Sequence, residues 1–376
     1  MDRISAALIV RDEAAFIAGC LRSLVGNVDE IVLVDTGSRD DTIEIASRFP
    51  IQLHHFTWCD DFSAARNFAL EHASGDWILG IDADERLEIP DREAYRLLLA
   101  DRGKVGWKLR LQPRLEWTAF SMLRVFRNDP RIRYQGVVHE RIEPSVEVVA
   151  RSDGLEIGLC DLRLVHIATQ TDEHLKNKNS RYIPLLRKSI SREPGRFFSW
   201  WHLGECLRLA GDEEGAAATW TAGLSRPRNI EPERGTVGDC ILYVSLIELR
   251  HRRGEPSDEL IAQALSESPD HLSLQWLAAQ GAIERGDLES AQPILERLMA
   301  VDADTVFEPD IAYNKALFGH LPAQALALCH FRRGRFDEAA RLYRIAAQTA
   351  PDPDECYVKA RLAELRMSTG RQRAGR

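Results

Sequence analysis

A chain of 376 residues, 44% hydrophobic and 28% charged, has room for two or three domains and excludes wholesale disorder. Its net charge of −9 argues against a general nucleic-acid binder, which needs basic groups to neutralise phosphates. No apolar run approaches the ~18 residues of a membrane span, and the seven scattered cysteines include no CxxC pair. The expectation is a cytoplasmic protein with reduced thiols, no integral membrane span, and no zinc or disulfide framework.

The first ~165 residues alternate strand and helix patterns, the signature of an α/β layer with parallel strands. Strands are predicted at Ile4 to Val10, Glu30 to Asp35, Ile51 to Phe56 and Trp77 to Asp82. Helices are predicted at Glu13 to Leu24, Thr42 to Phe49 and Ser63 to Ser74. Asp40 or Asp41 can cap the second helix, and Gly75 can end the third in a left-handed conformation. Further strands are predicted at Val105 to Leu111, Ser121 to Phe126 and Leu159 to Ile167.

From about residue 172 the pattern turns helical and weakly repetitive. Trp200, Leu203, Gly204, Leu207, Gly211, Ala216, Trp220 and Pro227 fall near the tetratricopeptide (TPR) template. Leu326, Ala327, Gly334, Ala339, Tyr343, Ala346 and Pro351 repeat the spacing, and a third copy runs through Ala279, Gly286, Ala291 and Leu295. The small residues let antiparallel helices approach. The expected division is a catalytic domain at 1–168, a connecting helix at 169–194, TPR-like repeats at 195–367 and a disordered tail at 368–376.

Polar residues gather at the carboxyl ends of the predicted strands, where open α/β sheets bind ligands. Asp35 ends one strand, and Asp82-Ala83-Asp84-Glu85 follows another. Strand positions two apart point together, so Asp82 and Asp84 together suit a hard cation, Mn2+ or Mg2+, that also takes diphosphate oxygens.

Four motifs recur in order: Ile9-Val10-Arg11-Asp12-Glu13, the run from Ile31 to Thr42 around Asp35, Ser63-Ala64-Ala65-Arg66-Asn67, and Ala73 to Glu85. Together they resemble the family 2 glycosyltransferases. The stretch Phe56 to Asn67, the stretch Tyr134 to Glu140 and the repeats resemble the family's TPR-bearing branch, which includes bacterial peptide S- and O-glycosyltransferases. The resemblance implies a GT-A, Rossmann-like nucleotide-sugar domain followed by an all-α TPR-like domain. It implies an inverting, metal-dependent transfer from a nucleoside-diphosphate sugar, a UDP-sugar foremost, to a peptide, protein or glycan. The repeats would hold the acceptor or a protein partner.

The same resemblance places Val10, Glu13, Asp35, Arg66, Asp82 and Asp60 around the nucleotide sugar. It assigns Asp84, Asp82 and His166 to the metal. For the acceptor side it points to Glu140 as base, with His139 as its neighbour and Asp61 in the sugar-side wall. Plainer roles compete: Asp60 and Asp61 can cap the helix at Ser63, and His139 can be a packed ring. No QxxRW motif occurs, which argues against a processive polysaccharide synthase. A nucleotidyltransferase is the alternative enzyme, but residues 10–16 lack its Gly-rich loop. A scaffold that has lost activity is the other, and the presence of Asp35, Arg66, Asp82 and Asp84 argues against it.

Overall fold

The computed structural model describes residues 2–112, 116–167, 172–227, 237–306 and 311–374. They form two compact units divided at Asp212/Glu213, with residues 116–118 belonging to the second.

The first unit is built on strands β1 (Ile4–Val10), β2 (Glu30–Asp35), β3 (Gln52–His55), β4 (Trp77–Gly80), β5 (Glu85–Glu88), β6 (Lys104–Gln112), β7 (Phe120–Arg127) and β8 (Glu156–His166). Its helices are α1 (Ile17–Leu24), α2 (Thr42–Ala46), α3 (Phe62–His72), α4 (Arg92–Ala100), α5 (Glu143–Asp153), α6 (Asp172–Arg192) and α7 (Phe197–Leu209). The strands form one sheet in the order β3-β2-β1-β4-β7-β6-β8-β5. Strands β3, β2, β1 and β4 run parallel, as the sequence pattern predicts. Beyond β4 the sheet turns mixed: β7 is antiparallel to both β4 and β6, and β5 to β8.

Both faces of the sheet are covered. Ile4, Leu8, Leu33, Trp77 and Leu79 pack with Ile17, Leu21 and Leu24 of α1 and with Leu98 and Leu99 of α4. Ala7, Val32, Val34, Ile78 and Phe126 pack on the other face with Ala69 and Leu70 of α3 and Val146 and Val149 of α5. Buried residues at i, i+3, i+4 and i+7 of α1 explain why that segment is helical. Asp40, rather than Asp41, supplies the bond at the start of α2, accepting the Thr42 N–H at 3.0 Å. Helix α3 stops at His72, and Gly75 is not left-handed. Gly75 instead allows close approach, because a Cβ there would lie 2.8 Å from the Ser5 nitrogen.

The second unit is helical: α8 (Glu213–Leu224), α9 (Val237–Arg253), α10 (Asp258–Glu267), α11 (Leu272–Glu284), α12 (Leu288–Met299), α13 (His320–Arg332), α14 (Phe336–Ala347) and α15 (Pro353–Ala374), with a 3-10 turn at Lys315–Phe318. Helices α11 to α15 pack in succession. Ala279, Ala291, Ala327 and Ala339 are fully buried between them, as small template positions should be. These are TPR-like repeats. Two differences from the sequence reading stand out. Helix α7, which carries Trp200, Leu203 and Gly204, packs in the first unit. Helix α15 runs to Ala374, through most of the stretch read as a polar tail.

Candidate active site

The parallel strands end together, and their loops are laced by short hydrogen bonds. Val10 pairs with Asp35 in register, and the Val10 carbonyl accepts from the Thr36 N–H at 2.9 Å and the Thr36 hydroxyl at 3.0 Å. The Val10 carbonyl is thus engaged in holding the turn at Thr36. The Glu13 N–H donates to Thr42 Oγ1 at 2.7 Å, and the Glu13 carbonyl accepts from Phe16 and Ile17 at the start of α1. Asp12, left-handed at φ 57°, accepts the Arg39 N–H at 2.7 Å.

Asp35 is buried at the end of β2. Its carboxylate accepts the Gly37 and Ser38 N–H groups at 3.1 and 3.0 Å, and His55 Nδ1 lies 3.5 Å away. Burial raises its pKa, but the hydrogen bonds from Ser38 and Gly37 outweigh that and hold it below the usual carboxylate range.

Arg66 occupies the buried face of α3. Its Nη2 donates to Asp82 Oδ1 at 2.6 Å, and its Nε donates to Glu140. Its guanidinium also lies 5.4 Å from the centre of the Tyr134 ring. Burial disfavours its charge, and Asp82 and Glu140 more than restore it. Asp82 has a second cation: Arg124 Nη2 lies 3.5 Å from Asp82 Oδ2 and 2.9 Å from Glu85 Oε1. Burial raises the Asp82 pKa, and Arg66 and Arg124 carry it well below the ordinary value.

Asp84 turns elsewhere. Its Oδ2 lies 3.0 Å from His166 Nε2, at the point where β5 pairs with β8. The expectation that Asp82 and Asp84 point together fails for a geometric reason. Strand β4 ends at Gly80, so both residues sit in a turn, where strand alternation does not apply. Asp82 joins the arginines and Asp84 joins the histidine. Among the described residues no three of His, Cys, Asp and Glu form a metal-holding cluster. A hard cation that keeps most of its ligands from phosphate and water needs only one or two from the protein. The Asp84–His166 pair fits that requirement, whereas Asp82 is committed to guanidinium groups.

Asp61 caps α3, the helix that carries Arg66: it accepts the Ala64 N–H at 3.2 Å and the Ser63 hydroxyl at 2.6 Å. Asp60, left-handed at φ 55°, accepts from Trp58 Nε1 at 2.8 Å. Both are doing loop and cap work here, the plainer of the two roles predicted for them. His139 is also left-handed, at φ 53°. Its ring stacks on Tyr182 at 5.9 Å, meets Phe198 edge-on at 4.7 Å and hydrogen-bonds His202. Arg196 secures the turn by donating to the carbonyls of Val138 and His139. Arg124, Tyr182, Arg196 and His202 lie outside every motif of the sequence, and Glu85 and Tyr134 stand inside motifs that assign them no role of their own. Isolated arginines and aromatics carry no motif, and only the fold brings them together.

The first unit is thus an α/β domain whose parallel strands end on Asp35 and on the Asp82–Glu85 turn, where arginines hold Asp82 and Asp84 meets His166. Residues 5–94 match the family described as Glycosyl transferase family 2. A TPR repeat-containing protein of Synechococcus elongatus is 31% identical over 72% of this chain and 68% of its own length. The SPbeta prophage-derived glycosyltransferase SunS of Bacillus subtilis is 25% identical over 66% of this chain and 59% of its own length. Among solved structures, glucosyl-3-phosphoglycerate synthase from Mycobacterium tuberculosis, in complex with Mn2+, UDP and glucosyl-3-phosphoglycerate, has a TM-score of 0.35. It is 18% identical and covers 48% of this chain and 80% of its own. The chain belongs to the family 2 glycosyltransferases and carries TPR-like repeats after its GT-A domain. No helix among the described residues is long and apolar enough to cross a membrane.

Proposed function

We propose that the chain is a divalent-cation-dependent, inverting glycosyltransferase that uses a nucleoside-diphosphate sugar, with UDP the foremost nucleotide. The acceptor would be a peptide, a protein or a glycan, held in part by the repeats. The observation that carries this reading is the Asp84–His166 pair, 3.0 Å apart and one turn from the arginine-bound Asp82.

Asp35 and Glu13 would line the nucleoside, beside Val10 at the end of β1. Asp82, fixed by Arg66, would take a ribose hydroxyl. Asp84 and His166 would hold Mn2+ or Mg2+, which when bound neutralises charge on the departing diphosphate. The acceptor oxygen or sulfur would attack the anomeric carbon from the face opposite the diphosphate. Its new bond forms as the bond to the diphosphate oxygen breaks, and the acceptor proton passes to a base. Glu140, oriented by Arg66, is the base this reading assigns, with His139 beside it and Asp61 holding the loop wall at Asp60.

Thermal-shift measurements with UDP-, GDP- and TDP-sugars, each with and without Mn2+, test it. A ligand at a hundred times its Kd stabilises the folded state by about 2.7 kcal/mol. The expected result is a rise in Tm with UDP-sugar that needs Mn2+. No shift with any of the three sugars would overturn the reading.

A further inference from the structure

Arg124 is placed by an irregularity in the sheet. Along β6 and β7, Trp107 pairs with Val125 and Lys108 with Leu123, so Arg124 is the extra residue of a bulge on β7. A bulge bends its strand and re-aims one side chain, and such devices gather beside active sites. The next strand over is β4, whose Leu79 pairs with Val125. The bulged arginine therefore stands at the end of β4, where the Asp82–Glu85 turn begins.

That turn is closed twice by Glu85. The Glu85 N–H donates to the Asp82 carbonyl at 3.0 Å, and Glu85 Oε2 accepts the Asp82 N–H at 2.9 Å. Glu85 is only 2% exposed. A carboxylate so deeply buried has to be paired, and Arg124 Nη2 meets its other oxygen at 2.9 Å. The Nε of Arg124 is buried with no hydrogen-bond partner. Its guanidinium is directed at this turn even though its Nε is left unpaired. Asp84 lies inside the closed ring, one residue before Glu85.

We infer that Arg124 is a positioning residue which, through Glu85, locks the Asp82–Glu85 turn and so presents Asp84 to the cation and diphosphate. The inference rests on the reading of Asp84 as a cation ligand. Arg66 fixes Asp82 from the α3 side, and Arg124 fixes the turn from the sheet side. Neither side chain needs to touch the cation.

The test uses the full chain as Arg124→Met, Arg124→Lys and Glu85→Gln/Arg124→Met, with circular dichroism confirming the fold. Amide exchange across residues 81–87 reports the turn without any ligand. Electron paramagnetic resonance of Mn2+ in the presence of UDP reports the cation. Partners that orient a metal ligand typically contribute 10–100-fold in metal affinity. The expected result for Arg124→Met is faster exchange at 81–87 and a Mn2+ affinity lower by roughly 10–100-fold. Arg124→Lys, which keeps the charge but not the fork, should fall between, and keeps the test open if the methionine variant does not fold. The double variant should lose no more than Arg124→Met, because one residue acts through the other. Unchanged exchange at 81–87, or wild-type Mn2+ affinity in a folded Arg124→Met, would overturn the inference. If the wild-type chain binds no Mn2+ with UDP, it is the proposed function that falls, and the exchange measurement still decides whether Arg124 locks the turn.

Discussion

Arg66 and Glu140 lie 74 residues apart in the chain and share one ion pair. Each was legible alone, Arg66 within its Ser-Ala-Ala-Arg-Asn run and Glu140 beside a histidine. Their meeting was not, because no periodicity links a helix to a turn that far away. The pair sharpens what a substitution should do. In Glu140→Gln the amide oxygen can still accept from Arg66, so the ion pair is lost but the shape and a hydrogen bond remain. Removing a general base typically costs roughly 10²–10⁴-fold in rate. We expect transfer to fall by that order while the donor Kd changes little, measured by steady-state kinetics beside calorimetric donor binding. A thiol acceptor should suffer less than a hydroxyl, because a thiol ionises appreciably near neutral pH. If Glu140→Gln keeps wild-type turnover while His139→Ala abolishes it, the base is His139.

At the scale of elements, the parallel strands and the helices between them are readable in the sequence, including the short β3 and β4, whereas β5 and α5 are not. Strand β1, strand β2 and helix α3 agree with the sequence pattern to within about two residues. Strand β5, only Glu85–Glu88, hid in an acidic run. Helix α5 is absent from the pattern read above although its punctuation is plain: Pro144 stands in the first turn, and Gly154 closes the helix at φ 68°. Single caps can also control stability. His271 caps α11 by accepting the Leu274 N–H on Nδ1 at 3.4 Å, and its Nε2 is buried without a hydrogen-bond partner. Burial lowers its pKa to about 4, against a small opposing hydrogen bond at its own backbone. The folded state thus keeps this ring neutral over a range where the unfolded chain protonates it. Stability is present above the ordinary histidine value and is lost as the pH falls from about 6.5 toward 4. His271→Asn keeps a cap acceptor but does not titrate. Urea unfolding between pH 4 and 7 should therefore show a flatter pH dependence in His271→Asn than in wild type. Equal slopes would remove His271 as a contributor.

For the whole molecule, the sequence announced the two halves and their order but not where they divide. Composition shifts near residue 172, yet the first compact unit continues to Asp212. The reason lies in side-chain contacts that have no sequence signature: Arg196 holds the 138–139 carbonyls, and His202 meets the His139 ring. A chain ending at Asp212 should therefore keep its nucleotide affinity. One ending at residue 194 lacks those contacts and should melt lower and bind nucleotide more weakly. Equal melting temperatures and affinities would show that α7 is dispensable to the first unit. The central claim is that Asp84, with His166, makes donor binding depend on a cation. The most direct measurement is calorimetric titration of UDP into the full chain, in Mn2+ and in chelator, for wild type and Asp84→Ala. The account predicts that Mn2+ tightens UDP binding in wild type and not in Asp84→Ala, with Tm nearly the same in both proteins. The same Mn2+ dependence in both would contradict it.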